Sequence, residues 1–366
     1  MKPLLAIFGI VLLVVILWDA FETIILPRRV TRRLRLTTLF YRGTWRPWVY
    51  LARHIKNGKQ REKYLALFGP LSLLALLILW ASGLIIGYAL VQWAIGAPLN
   101  IPQQAAAFDD YLYLSAVSFL TLGFGDIVPM TNAGRLLVSI EAGNGFGLLA
   151  VVIGYLPVLY QSFSRREVAI SMLDARAGSP SSAAELVRRQ SVNGDVTDLD
   201  RLLREWEYWS AELLESHLSY PVLCYFRSQH DNQSWLATLT TVLDTCALVM
   251  VGLDKVPGWQ ARLTFAMARH AVVDIAQIFE KAPRTVQCCT ARLSNAELET
   301  LHKVLLNHGI RLREGAEADL KLLQFREMYE PYVFALSEWL MMPLPPWVLP
   351  EDAIDNWKTS AWGRIQ

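Results

Sequence analysis

The sequence predicts an all-α membrane protein whose second half is an all-helical water-soluble domain. The 366 residues are 53% hydrophobic, with 13 Trp and a mean hydropathy of +0.28, which is too apolar for a typical soluble protein. Charged residues make up 19% of the chain, which is too many for a protein lying wholly in a membrane. The long apolar runs end at Tyr160, and helical periodicity with little strand pattern follows.

The first apolar run extends from Leu4 to Leu26 and is long enough to cross a hydrocarbon core of about 30 Å. A cleaved signal peptide is the alternative, but the run is long for one and no small-residue cleavage site follows it. We therefore interpret residues 1–27 as a retained transmembrane helix. Asp19 and Glu22 share one face near its end. We interpret them as interfacial anchors, with pairing to the basic segment that follows as the alternative.

Residues 28–63 form a basic segment that contains twelve Lys and Arg residues and one acid, Glu62. Between two membrane spans, such a segment lies in the cytoplasm by the positive-inside rule. Nucleic-acid binding is the competing interpretation of a basic run, and the flanking spans argue against it. Trp45, Trp48 and Tyr50 lie among these charges and predict a short helix at the inner membrane surface.

A second apolar run extends from Tyr64 to Ile95, which predicts a long or tilted membrane helix. Gly83 and Gly87 are four residues apart in it. Two interpretations stay open: the pair lets another helix approach closely, or both are ordinary glycines of a membrane helix.

The eleven residues from Asp110 to Leu120 are apolar and aromatic but too few to cross a membrane, so they predict a re-entrant helix. Asp109 or Asp110 is expected to cap its first turn. A third span runs from Leu136 to Tyr160, followed by Arg165 and Arg166. The predicted topology places the N-terminus outside, the basic segment inside, the re-entrant segment outside and residues 165–366 in the cytoplasm.

Directly after the re-entrant helix comes Thr121-Leu122-Gly123-Phe124-Gly125-Asp126. A dehydrated cation needs rings of oxygen atoms, and four copies of such an extended loop supply stacked backbone carbonyls. Gly123 and Gly125 reach the unusual backbone angles that aim the carbonyls at a common axis. Thr121 adds a hydroxyl at the inner end, Leu122 and Phe124 are expected to pack behind the loop, and Asp126 attracts cations at the outer mouth.

These residues resemble the selectivity filter of prokaryotic potassium channels of the two-transmembrane-plus-pore-loop type, which usually reads Thr-Val-Gly-Tyr-Gly-Asp. Pro129, Gly134 and Arg135 continue the family pattern, and the resemblance covers residues 64–166. It implies a homotetramer in the plasma (inner) membrane, with K⁺ as the permeating ion and no organic cofactor. Phe124 replaces a Tyr whose hydroxyl bonds to the pore helix in many relatives.

The third span carries four further candidate residues. In similar channels the inner helix bends at a glycine about twenty residues past the filter, which makes Gly145 the hinge candidate, with Gly143 and Gly147 permitting close packing. Glu141 either faces the cavity or, as we slightly prefer, lies behind the filter bonded to the pore helix. Asn144 is expected to line the cavity, and Pro157 to kink the inner end of the helix.

The predicted pore domain spans residues 64–164, and residues 165–366 resemble no ligand-binding family. The latter contain no Gly-x-Gly-x-x-Gly after a strand, no strand-rich segment and no nucleophile–base constellation, so the chain is not expected to be an enzyme. An unknown cytoplasmic ligand and a gating role remain open. Helices are predicted near 182–190, 197–218, 232–251, 259–281, 294–308 and 316–341.

Local signals in this domain predict caps and packing. Capping boxes are expected at Ser182 with Glu185 and at Ser294 with Glu297. Asp231 or Asn232 is expected to cap the helix that begins near residue 234. Four tryptophans are expected to fill helix–helix contacts: Trp206, Trp209, Trp235 and Trp259. His270 with Asp274, His302 and His308 are weak candidates for metal ligands. The four cysteines are expected to be buried thiols: Cys224, Cys246, Cys288 and Cys289.

The sequence therefore favours a potassium-selective channel subunit that conducts passively through a tetrameric pore. A weakly selective cation channel is the first alternative. A non-conducting membrane sensor or scaffold that keeps the pore fold is the second. A membrane-anchored enzyme is the third, disfavoured because no catalytic constellation is recognised.

Overall fold

A computed structural model describes the chain over residues 2–26, 35–101, 106–191, 198–230, 232–253, 256–280, 292–350, 353–360 and 363–364. It confirms the predicted all-α class, and a hairpin of two-residue strands near the C-terminus is the exception. The chain divides into two compact units, Met1–Tyr160 and Gln161–Gln366. The predictions for Arg28, Arg29, Arg32, Arg33, Asp231, Cys288 and Cys289 lie outside the described residues.

The first unit consists of six helices within the described ranges. They are α1 (Lys2–Ala20, continued by a π-helical turn, Phe21–Ile25), α2 (Leu36–His54), α3 (Gly58–Ala66), α4 (Phe68–Ile95), α5 (Phe108–Phe119) and α6 (Asn132–Ala177). The second apolar run therefore begins as two helices, because the chain turns at Leu67 between α3 and α4. The helix predicted in the basic segment is present as α2.

Helix α1 packs along α4 through glycines. A Cβ atom at Gly9 would lie 2.8 Å from the Gly87 carbonyl oxygen, and one at Gly87 would lie 2.8 Å from Leu13 Cδ2. A Cβ atom at Gly83 would overlap the Ile16 side chain. The close-approach interpretation of Gly83 and Gly87 is thus confirmed, and the approaching helix is α1.

Asp19 and Glu22 are buried acceptors, so the interpretation as interfacial anchors is wrong. Asp19 is 4% exposed, and its carboxylate accepts hydrogen bonds from Trp80 Nε1 at 3.0 Å, Thr37 Oγ1 at 2.5 Å and Thr37 N at 3.2 Å. Glu22 accepts from Trp18 Nε1 at 2.8 Å and pairs with Arg35 at 3.5 Å. An acid among membrane helices needs such partners, and here they join α1, α2 and α4.

The second unit contains the C-terminal part of α6 and, among the described residues, seven further α-helices. They are α7 (Ala183–Arg189), α8 (Asp198–Ser219), α9 (Trp235–Gly252), α10 (Gly258–Ile278), α11 (Asn295–Asn307), α12 (Ala316–Glu327) and α13 (Glu330–Leu340). Two 3₁₀ turns, Pro221–Tyr225 and Asn356–Lys358, and the strands Thr359–Ser360 and Gly363–Arg364 complete it. The segment predicted as one helix over 316–341 is α12 and α13, which meet at Tyr329.

Four helical segments of the described chain are long and apolar enough to cross a membrane: Lys2–Ile25, Gly58–Ile95, Asn132–Ala177 and Trp235–Gly252. The last is α9, whose apolar window is 94% buried inside the protein. Burial on all sides by α8, α10 and the C-terminal helices makes α9 the core helix of the second unit.

Caps in the second unit agree only in part with the prediction. Ser294 and Glu297 form the full capping box of α11, and Ser182 caps α7 by accepting from Glu185 N at 3.2 Å. Glu185 itself binds Arg188 and Arg189 instead. Helix α9 is capped by Ser234, which accepts from Ala237 N at 3.0 Å; Asn232 has a left-handed backbone (φ 62°) and is not the cap.

Trp206, Trp209 and Trp235 are buried as predicted, whereas Trp259 is 69% exposed at the start of α10 and fills no helix contact.

The core of the second unit also holds a buried ionic network. Arg292 donates to Asp244, and to Glu330 at 3.0 Å, while Arg326 pairs with Glu330 at 3.0 Å. Burial raises the pKa of Glu330, and the two guanidinium groups oppose that shift. Two acids and two arginines balance, which makes burial of all four charges tolerable.

Candidate ion pore

Both ends of helix α5 are capped by hydrogen bonds to residues nearby in sequence. Asp110 accepts from Ala107 N at 2.9 Å, so the predicted cap by Asp110 is present one turn inside the helix. At the other end, Thr121 N donates to Ser118 O at 3.0 Å and Leu122 N to Val117 O at 2.9 Å. The chain therefore turns directly from the carboxyl end of α5, where the helix dipole favours cations, into the candidate filter.

The candidate filter, Thr121–Asp126, has the backbone that its glycines require. Gly123 and Gly125 have φ of 61° and 78°, in the left-handed region that glycine enters at little cost. Thr121 shares this region at φ 56°. A Cβ atom at either glycine would meet no atom within 4 Å, so conformation rather than space explains the glycines.

Leu122 and Phe124 are 53% and 66% exposed in the single chain. The expected packing behind the candidate filter is therefore not made within one chain. The physical reason is that an extended loop of this length has too few neighbours in its own chain to cover both side chains.

Asp126 accepts a hydrogen bond from Tyr113 Oη at 2.9 Å. Tyr113 lies on α5, so this bond ties the Asp126 end of the candidate filter to that helix. The sequence reasoning missed it, although Tyr113 and Asp126 were both visible as polar groups flanking the filter. It supplies a link between filter and pore helix that Phe124, which lacks a hydroxyl, cannot make.

The segments flanking the filter are fastened to each other. Tyr111 Oη on α5 donates to Ala97 O at 2.7 Å, and Leu99 forms a backbone bridge with Pro129. A Cβ atom at Gly134 would lie 2.8 Å from Pro129 Cβ, which accounts for the glycine at the start of α6. These contacts hold the ends of α4, α5 and α6 together around the loop.

Glu141 is fully buried and joins three helices. Its Oε2 accepts from Gln92 Nε2 on α4 at 2.9 Å, and its Oε1 is hydrogen-bonded to Ser115 Oγ on α5. Ser115 also reaches Ile85 O at 2.7 Å. The structure places Glu141 behind the pore helix, in the position preferred from the sequence, and not toward a cavity.

Asn144 does not lie where the sequence predicted. Its Nδ2 donates to Tyr88 Oη on α4, so the side chain points between α6 and α4. An amide at this depth gains more from a protein partner than from an apolar neighbour.

The close-packing role expected of Gly143 and Gly147 is found at Gly145. A Cβ atom at Gly145 would overlap the Phe119 carbonyl oxygen and lie 2.8 Å from its carbon, so Gly145 is needed for close packing against the end of α5. At Gly143 and Gly147 a Cβ atom would meet nothing within 4 Å. Helix α6 runs without a break through Gly145, and through Pro157, which is twenty residues from the end of the helix and not near it.

Two of the histidines considered as metal ligands each lie near a single acid in the structure. His270 Nε2 lies 3.3 Å from Asp274 Oδ2, with the histidine 60% exposed, and His302 lies 3.7 Å from Glu314. Over the described residues, no group of three or more His, Cys, Asp or Glu side chains is arranged to hold a metal ion. Cys224 and Cys246 are buried free thiols.

Residues 75–161 match the protein-family model described as an ion channel. The match begins in α4, contains α5 and the filter, and ends in α6, so it covers the structural elements assembled above. This part of the chain is an ion channel pore domain, the protein is a membrane protein, and the matched family is not an enzyme family. Comparison with curated proteins and with solved structures gave no match.

Proposed function

We propose that the chain is one subunit of a homotetrameric, potassium-selective channel that conducts K⁺ passively across the plasma (inner) membrane. The observation that carries this proposal is the candidate filter: two left-handed glycines alternate with larger residues at the end of a twelve-residue pore helix. One copy offers a single line of carbonyl oxygens, and a dehydrated potassium ion needs rings of them. Four copies around an axis meet that need.

The exposed apolar residues near the filter support a multi-subunit pore. Leu122 and Phe124 are exposed in one chain, as are Leu136, Ile140 and Phe146 along α6, at 64%, 50% and 66%. In a tetramer, the filter side chains of one subunit have neighbouring subunits to pack against. The remaining exposed apolar side chains of α6 suit neighbouring subunits or lipid.

We further propose that the N-terminus lies outside, that the second unit lies in the cytoplasm and that this unit gates the pore. Helix α6 has 46 residues, about 69 Å at the usual rise, so it exceeds the hydrocarbon core and continues into the second unit. There Arg166 donates to Leu223 O and Phe226 O, both at 2.9 Å. A movement of the segment 223–226 therefore has a direct mechanical connection to α6.

Potassium flux from vesicles containing the purified protein tests conduction. Replacing Gly123 with Ala forces a β-carbon onto a left-handed residue and is expected to abolish flux, whereas Gly147→Ala, in open space on the same chain, leaves it intact. Well-folded wild-type tetramers that pass no thallium or potassium would favour the scaffold alternative and overturn the proposal.

Gating is tested separately by replacing Arg166 with Lys, which keeps the charge but loses the paired bonds to the two carbonyls. The expected result is an altered open probability with unchanged K⁺/Na⁺ selectivity. An unchanged open probability in a folded variant would contradict the gating role.

A further inference from the structure

Helix α2 has one buried side and one exposed side. Thr37, Trp45, Val49 and Ala52 are buried, and Trp45 packs its ring 4.6 Å from that of Phe68 at the start of α4. Trp48 stacks on Tyr64 at 4.5 Å. These aromatic contacts fix which side of α2 faces away from the protein.

The exposed side carries two adjacent stripes of different chemistry. Arg46 and Arg53 are seven residues apart and nearly aligned along the helix, and both are exposed. Leu39 and Tyr50, eleven residues apart, are also aligned and are 53% and 65% exposed. At 100° per residue the second stripe lies about 40° around the helix from the first. Leu51, 56% exposed, lies farther around the helix, about 110° from the second stripe.

The two arginines lack an internal counter-charge. Helix α2 contains no Asp or Glu, and neither Arg46 nor Arg53 pairs with an acid among the described residues. Asp19 and Glu22 are buried and already hold Thr37, Trp80, Trp18 and Arg35, and Glu62 on the neighbouring α3 has an interaction of its own. The described residues therefore place no acid on this stripe, which leaves it open to a negative partner from outside the chain.

We propose that the exposed side of α2 is a binding site for an anionic phospholipid of the bilayer. Arg46 and Arg53 bind the phosphate-bearing headgroup, while Leu39 and Tyr50 contact the upper part of the acyl chains. Two considerations select a lipid over a free anion or an acidic protein segment. The apolar stripe lies beside the charges, as in helices that lie in a membrane interface, and α2 is joined to two membrane-length helices, through Asp19 to α1 and through Trp45 to α4.

The binding test uses the full-length protein in a neutral detergent and a fluorescent phosphatidylglycerol as the probe. Unlabelled phosphatidylglycerol and phosphatidylcholine compete for the site, and the ratio of their affinities is the readout. Each arginine near a headgroup contributes about fivefold in favour of an anionic lipid, so Arg46→Gln with Arg53→Gln is expected to reduce that ratio about 25-fold. The control pair, Arg201→Gln with Arg204→Gln on the exposed side of α8, removes the same charge and is expected to leave the ratio unchanged.

Further variants separate charge, shape and source. Arg46→Lys with Arg53→Lys keeps the charge and is expected to keep most of the preference, which also shows that substitution here does not unfold the protein. Tyr50→Ser should lower the affinity for both lipids to the same extent. The proposal is overturned if the glutamine pair keeps the wild-type ratio, if the α8 pair loses it equally, or if inorganic phosphate competes as well as phosphatidylglycerol. The assay measures binding only, so its outcome is independent of whether the pore conducts K⁺.

Discussion

Replacing Gly145 with Ala separates two accounts of this glycine, the hinge suggested by sequence and the packing contact present in the structure. The added methyl group would overlap the Phe119 carbonyl oxygen and lie 2.8 Å from the carbonyl carbon, where ordinary contact begins at 3.4 Å. The shortfall at the carbon alone is about 0.6 Å. Because the obstacle is backbone, no rotamer change relieves it, and α5 must move away from α6.

The expected cost follows from the size of that overlap. Overpacking a tight contact costs about 1–3 kcal/mol, and a clash with backbone on this scale belongs near the upper end. Alanine recovers up to about 1 kcal/mol of helix propensity relative to glycine. The net loss is therefore about 2 kcal/mol, a fall in Tm of about 4–8 °C. Since Phe119 is two residues before Thr121, the same displacement should also reduce K⁺ flux.

The assay is the fraction of folded protein that survives heating, measured by size-exclusion chromatography in detergent, followed by flux from vesicles. Gly143→Ala is the matched control, because its methyl group meets no atom within 4 Å and should leave the protein as stable or more stable. If Gly145→Ala keeps the wild-type Tm and changes only channel opening, the hinge account is right and the packing argument fails.

Three other perturbations test separate parts of the structure. Glu141→Gln can still accept from Gln92 and donate to Ser115, so flux should stay near wild type. Glu141→Ala leaves Gln92 Nε2 unpaired, while Ser115 keeps its bond to Ile85 O, so the variant should lose about 1–3 kcal/mol and show reduced flux; equal flux in the two variants would mean that the hydrogen bonds of Glu141 do not affect conduction. Tyr113→Phe removes the bond to Asp126, and we expect a reversal-potential measurement to show reduced K⁺/Na⁺ selectivity, while an unchanged value would mean that the bond does not hold the filter. Burial, and then the Arg166 guanidinium, hold the pKa of His217 well below its usual range, so below about pH 6.5 the unfolded chain binds a proton that the folded chain does not. Urea unfolding should therefore show that the free energy of unfolding falls by about 1.4 kcal/mol per pH unit on acidification. His217→Gln should remove this slope, and a slope that persisted in the variant would mean that another group causes it.

The parts of the fold that depend on local sequence were predictable. Helix α5, the glycines of the filter and the capping box at Ser294 depend on residues a few positions apart, where periodicity and backbone preference are decisive. The burial of Trp206, Trp209 and Trp235 was predictable for a similar reason, because each lies on the apolar side of its helix.

Pairings between distant residues were not predictable from one sequence. Asp19 is bonded to Trp80, sixty-one residues away, and nothing local distinguishes an acid buried between helices from one at a membrane surface. The contacts of Asn144 and Gly145 were not predictable for the same reason: they involve Tyr88 and Phe119, which are brought close only by helix packing. The bond between Tyr113 and Asp126 could not be predicted either, because it forms only when the chain turns after α5 and brings Asp126 beside Tyr113.

We propose that the segment Thr121–Asp126 selects potassium over sodium. The most direct measurement is the reversal potential of the purified protein in a planar bilayer with K⁺ on one side and Na⁺ on the other. A reversal potential close to the K⁺ equilibrium value, lost together with current in Gly123→Ala, is the predicted result. A current that reverses near zero under these bi-ionic conditions would show a channel that does not discriminate between the two ions and would contradict the claim.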